Sequence, residues 1–146
     1  VGCATAIVVG LVAVTPAAGF ISPMSAILLG GIAAVPSYFV LVWRGKSSLD
    51  DSLDVVAAHG IGGATGALLT GVFAQQSLNG MADGLLFGNP GQVVTQLIAV
   101  GGVIVYCGVA TFILLKVIGF VIPLRASASD ESAGLDITQH GEKAYL

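Results

Sequence analysis

The sequence predicts an all-α, polytopic transmembrane helix bundle. Of its 146 residues, 55% are hydrophobic and only 9% are charged, whereas about a quarter of the residues in a soluble domain are charged. The apolar residues form runs, and about twenty such residues cross the hydrocarbon core of a bilayer. The 21 glycines form no collagen repeat and favour close approach of membrane helices. The net charge of −3 excludes a nucleic-acid binder built on a basic face.

The first half of the chain contains one partial and one complete membrane span. The segment Val1–Val14 is uncharged but short, so we interpret it as the end of a helix that begins upstream. Two prolines and a glycine predict a turn over Thr15–Pro23. Met24–Trp43 is long enough to span, and Pro36 inside it predicts a kink because proline removes a backbone donor.

The second half contains two further spans separated by polar segments. A short polar loop over Arg44–Asp51 precedes the predicted span Leu53–Ala74. A longer loop rich in Gly, Asn and Gln covers Gln75–Gln92. The last span, Val93–Ile122, is long enough to tilt or to project from the bilayer.

The chain therefore divides into a transmembrane region, residues 1–125, and a polar tail, residues 126–146.

The loops at Thr15–Pro23 and Gln75–Gln92 contain no basic residue. The loop at Arg44–Asp51 contains Arg44 and Lys46, Arg125 immediately precedes the tail, and the tail contains Lys143. Cytoplasmic loops are enriched in Lys and Arg, so these two segments are predicted to lie in the cytoplasm.

The cysteines and histidines form no recognisable metal or redox motif. Cys3 and Cys107 lie in apolar runs and are predicted to be buried packing thiols. His140, the only histidine besides His59, lies in the tail. No spacing supports a zinc site, a nucleophile arrangement or a phosphate loop, so the sequence predicts neither metal nor cofactor, nor an enzyme.

His59 is the strongest functional candidate, because an ionisable group in an uncharged apolar segment is costly. Two interpretations stay open: a structural interhelical hydrogen bond, or an imidazole that lines a path for a small polar solute. Val55 lies one helical turn before it on the same face. Asp50 and Asp51 are predicted to cap the helix. Asp54 lies deeper and could hold a backbone amide or a neighbouring helix.

Several strings of residues, in order along the whole chain, resemble the ammonium transporter family (Amt/Mep/Rh). They are Thr15–Phe20 (TPAAGF), Leu49–Asp54 (LDDSLD), His59–Gly63 (HGIGG), Leu68–Ala74 (LLTGVFA) and Gly134–Tyr145 in the tail. Their number and order make the resemblance specific, unlike the GxxxG pair of Gly62 and Gly66, which is common in membrane helices.

The resemblance implies the last helices of an eleven-helix subunit of a homotrimer in the plasma membrane. It also implies ammonium/ammonia transport: ammonium is deprotonated, and ammonia passes through a histidine-lined apolar pore. By the same resemblance, His59 and the apolar Val55 line the pore, and Thr15 faces the pathway. Asp54 couples to the tail, and Thr138 matches a position that is phosphorylated in plant members.

Two rival functions follow from the same residues. An ammonium sensor would act through the tail, with a PII-type signalling protein as a candidate partner. A membrane enzyme would need a catalytic constellation, and the sequence offers none.

Overall fold

The computed structural model describes residues 2–143, and these are helical, with no strand among them. The longer helices are α1 (Gly2–Val14), α2 (Pro23–Arg44), α3 (Gly62–Phe73) and α5 (Gly91–Gly119). A π-helix, π1 (Val56–Ile61), leads directly into α3. Short elements complete the chain: 3₁₀ turns at Thr15–Ala17 and Leu85–Phe87, α4 (Gln76–Asn79), α6 (Ala128–Ala133) and a second π-helix, π2 (Asp136–His140).

The predicted spans are confirmed as apolar helices of membrane-crossing length. These are Pro23–Arg44, Val56–Phe73 and Gly91–Gly119, and Gly2–Ala17 is a shorter apolar helix. The last span begins and ends slightly earlier than Val93–Ile122. The chain is thus an all-α membrane protein, as its hydropathy predicts.

Local sequence explains where α2 begins. The Ser22 hydroxyl accepts a hydrogen bond from the backbone N–H of Ser25 at 3.2 Å, and Pro23 occupies the first turn, where its missing N–H is harmless. The helix continues through Pro36 to Arg44. A kink at Pro36 stays a prediction.

Helices α1, α2 and α3 pack around a core of small residues with one large member. Leu29 is fully buried and lies with Ala13, Ala17 and Ala33, while Leu69 packs against them from α3. Alanines at these positions let the helices approach closely, which is the usual basis of packing between membrane helices.

Two glycines set the contact between α1 and α3. A methyl group added at Gly66 would lie 2.7 Å from the Cα of Ala13, and one added at Gly62 would lie 3.4 Å from a Val9 methyl. Both pairs advance by four residues in the same direction, so α1 and α3 run parallel. The Gly62/Gly66 pair therefore forms a close-packing contact between α3 and α1.

The prediction that both cysteines are buried is wrong for this chain: Cys3 and Cys107 are exposed. Cys3 lies on a face of α1 that neither α2 nor α3 covers. Cys107 lies on α5, in which no residue is buried. Apolar surroundings in the sequence therefore did not imply burial within these 146 residues.

The chain divides into two compact units after Val103. In the first unit, the start of α5 meets α3 at Gly71, where an added methyl group would lie 2.9 Å from Gln96 Cγ. In the second, the Ser127 hydroxyl caps α6 by accepting from Asp130 N–H at 3.1 Å. The predicted boundary between membrane region and tail, at residues 125 and 126, stays a prediction.

Replacing Gly66 by alanine should destabilise the full-length protein by about 1–3 kcal/mol, because the added methyl group overlaps the α1 backbone. The apparent melting temperature in detergent measures this. Gly31→Ala is the matched control, since among residues 2–143 a methyl group there meets nothing within 4 Å, and it should leave the melting temperature unchanged or higher. Equal melting temperatures for Gly66→Ala and the wild type would contradict the close contact.

Candidate functional site

The segment before His59 begins with an acidic cap. The Asp51 carboxylate accepts hydrogen bonds from the backbone N–H groups of Val55 at 2.9 Å and Val56 at 2.8 Å. These donors have no partner within the helix that they start, so the carboxylate satisfies them. Asp50 makes no such contact and accepts only a long 3.5 Å bond from the Ser52 hydroxyl. The prediction of capping is confirmed for Asp51 and wrong for Asp50.

This cap also changes the acidity of Asp51. The N–H of Val56, with smaller contributions from Val55 and Arg44, lowers the pKa of the Asp51 carboxyl below its ordinary value of 3.8. Hydrogen bonds to the ionised form stabilise it. The cap is therefore fully formed at neutral pH.

Asp54 joins the start of π1 to the end of α2. Its carboxylate forms an ion pair and hydrogen bond with the guanidinium of Arg44, and both side chains are about three-quarters buried or more, with exposed fractions of 19% and 24%. Asp54 adopts a left-handed backbone conformation, φ 55°, which Asp and Asn tolerate better than most residues. Its carbonyl oxygen accepts from Ala58 N–H at 2.9 Å. Coupling of Asp54 to the tail stays a prediction.

The π-helix holds His59 on the outside of the α1–α3 bundle. Ala57 and Ala58 are buried, with exposed fractions of 2% and 3%, whereas His59 and Val55 are exposed. π-helices are rare and often occur at functional sites. The imidazole therefore lies on an apolar surface that the described part of the chain leaves uncovered.

Thr15 lies farther along the same axis. Because Gly62 faces Val9 and the helices run parallel, His59 is level with about Ala6, and Thr15 is about 13 Å beyond that level. The Thr15 hydroxyl donates to the Leu11 carbonyl oxygen at 2.8 Å. Val55 thus lies about one helical turn from His59, whereas Thr15 lies farther away; the role of each stays a prediction.

Thr138 lies in the second unit, in π2. Its hydroxyl donates to the Gly134 carbonyl oxygen at 3.1 Å, and its residue is exposed. A kinase could therefore reach the hydroxyl, although modification there stays a prediction.

Sequence reasoning missed the role of Arg44. The charge pattern predicts only that Arg44 lies on the cytoplasmic side, although an arginine that ends an apolar helix ten residues before Asp54 also indicates a possible ion pair. No cluster of three His, Cys, Asp or Glu side chains suited to a metal ion occurs among residues 2–143.

Comparison with known proteins identifies the family. The sequence model of the Ammonium Transporter Family matches residues 1–145. The chain belongs to this family. Ammonium transporters of Bacillus subtilis and Aquifex aeolicus are 42% and 47% identical to it, each over 99% of the chain, and Amt1 of Archaeoglobus fulgidus is 44% identical over 99%.

A solved structure supports the same fold. Saccharomyces cerevisiae Mep2 superposes with a TM-score of 0.75 at 31% identity, over 84% of this chain and 29% of Mep2. The chain covers 36% of the Bacillus subtilis transporter, 34% of the Aquifex aeolicus transporter and 37% of Archaeoglobus fulgidus Amt1. It therefore spans about a third of the length of these ammonium transporters.

The ion pair of Arg44 and Asp54 should contribute a measurable coupling energy of about 1–3 kcal/mol, because it is mostly buried. A double-mutant cycle with Arg44→Gln and Asp54→Asn, read by unfolding of the full-length protein, measures it. Asparagine is the suitable replacement because it also tolerates the left-handed backbone. Additive effects of the two substitutions would show that the pair contributes nothing.

Lowering the pH should weaken the Asp51 cap. Because the folded-state pKa is below the unfolded one, the stabilisation is complete above the unfolded value of 3.8 and is lost as the pH falls through the folded value. Melting temperatures of the wild type and Asp51→Asn should therefore converge as the pH falls below 3.8 and through the lower folded-state pKa. A difference between them that stays constant down to acid pH would contradict this assignment.

Proposed function

We propose that this chain forms the carboxy-terminal part of an ammonium transporter subunit and that His59 lines its conduction path. The observation that carries the proposal is an exposed imidazole on an apolar helix surface, in a chain of this family. A polar side chain at membrane depth is costly unless it faces a cavity or a path for solute.

The surface around His59 suits a neutral solute. Val55 and Val56 beside it are 46% and 43% exposed, and neither offers an acceptor to a cation. Moving an ammonium ion intact into such surroundings costs many kcal/mol, whereas ammonia carries no charge. Ammonium therefore loses its proton before entry, and ammonia crosses past the apolar wall.

His59 is the polar group on this wall. A neutral imidazole carries one donor and one acceptor, so it can hydrogen-bond ammonia as it passes and can relay a proton between waters. The opposite wall comes from the two-thirds of the transporter length that these residues do not span. Thr15 faces the same path nearer its outer end.

The remaining features of the proposal concern the assembled protein. The Arg44 loop and the tail lie in the cytoplasm, since they carry the basic residues, and the protein resides in the plasma membrane as a homotrimer without a cofactor. Transport, not catalysis, is its activity. Asp54 links the helix start to the tail, where Thr138 is a phosphorylation site and a PII-type protein is the partner.

Replacing His59 by alanine in the full-length protein should reduce ammonium transport between about twofold and tenfold, the worth of one hydrogen bond. Ammonium-dependent current and methylammonium uptake in liposomes measure the effect. His140→Ala is the matched control, because it removes the other histidine, in the tail, and should leave transport unchanged. Unaltered transport and selectivity in His59→Ala would overturn the assignment of His59 to the path.

A further inference from the structure

A cavity lies behind the helix segment that carries His59. It is partly open at the surface and has a volume of about 140 Å³, and its walls come from α1, α2 and π1, including Val9, Leu41, Ala57 and Ala58. These two alanines immediately precede His59, so the cavity lies on the buried side of π1, opposite the exposed imidazole.

The cavity wall contains one polar atom that the fold leaves unsatisfied. Ser37 is 2% exposed and lines the cavity, yet among the described residues its Oγ has no hydrogen-bond partner. Serine within a helix commonly donates to the carbonyl oxygen four residues earlier, and Ser37 makes no such bond. Nearly all buried polar groups have a hydrogen-bond partner, so we expect this hydroxyl to have one as well.

Size and polarity restrict what that partner can be. A buried water needs two to four polar neighbours, and the lining is apolar apart from the hydroxyl-bearing side chains of Thr5, Ser37 and Tyr38. A charged guest would be strongly disfavoured without a counter-ion. An apolar cavity of about 150 Å³ accommodates a guest as large as benzene or a xenon atom.

We propose that this cavity binds a small neutral amphiphile, an alcohol or uncharged amine of a few heavy atoms. The oxygen or nitrogen of this guest accepts a hydrogen bond from the Ser37 hydroxyl, and the apolar part of the guest fills the space between Val9, Leu41 and the two alanines. The guest would then contact π1 directly, so its binding in the cavity would affect the helix segment that holds His59. This site is separate from the exposed His59 surface and goes beyond ammonium transport.

The test uses the full-length protein with two probes, xenon under pressure and 1-propanol. Structures of the wild type should contain each probe in the cavity, with the propanol oxygen in hydrogen-bond distance of Ser37 Oγ. In Ser37→Ala, xenon should still bind. The affinity for 1-propanol, measured from its occupancy over a concentration series, should be about twofold to tenfold lower than in the wild type.

A filling variant provides a second control. Ala34 also lines the cavity, so Ala34→Leu should exclude both probes while leaving Ser37 in place. A wild-type cavity without either probe, or filled by another part of the full-length chain, would overturn the proposal. So would equal propanol binding in wild type and Ser37→Ala, or a Ser37 hydroxyl bonded to a backbone carbonyl with no guest.

Discussion

The close contact of Gly66 with the backbone of Ala13 is the constraint on which the described structure depends. It sets the distance between α1 and α3, and the parallel pair of Gly62 with Val9 sets their register. Leu29 of α2 fills the remaining space. Since α3 continues directly from π1, this backbone contact also determines where the His59 segment lies.

Charged groups define the other end of that segment. The Asp51 carboxylate accepts hydrogen bonds from the first free N–H groups of the helix, and the Asp54–Arg44 ion pair joins the start of this helix to α2. The segment is thus held by an electrostatic cap at one end and a glycine contact at the other. Between the two lies a π-helix, a geometry that is unusual without tertiary support.

The two sides of this π-helix differ in character. Ala57 and Ala58 lie inside against a cavity with an unpaired hydroxyl, whereas His59 lies outside on an apolar surface. Small residues on one side allow the helices to approach, and the imidazole supplies the polar group on the other.

The sequence by itself determined the membrane helices, because hydropathy is a property of neighbouring residues and backbone groups in lipid must pair within a helix. It also determined the capping by Asp51, because a helix terminus likewise depends on neighbouring residues. The sequence also singled out His59 as a candidate, because an ionisable group in an uncharged apolar segment is costly. Only the tertiary structure decided that the His59 segment is a π-helix, that Arg44 pairs with Asp54, and that the cysteines are exposed. These features depend on how distant segments meet, and local patterns carry no such information.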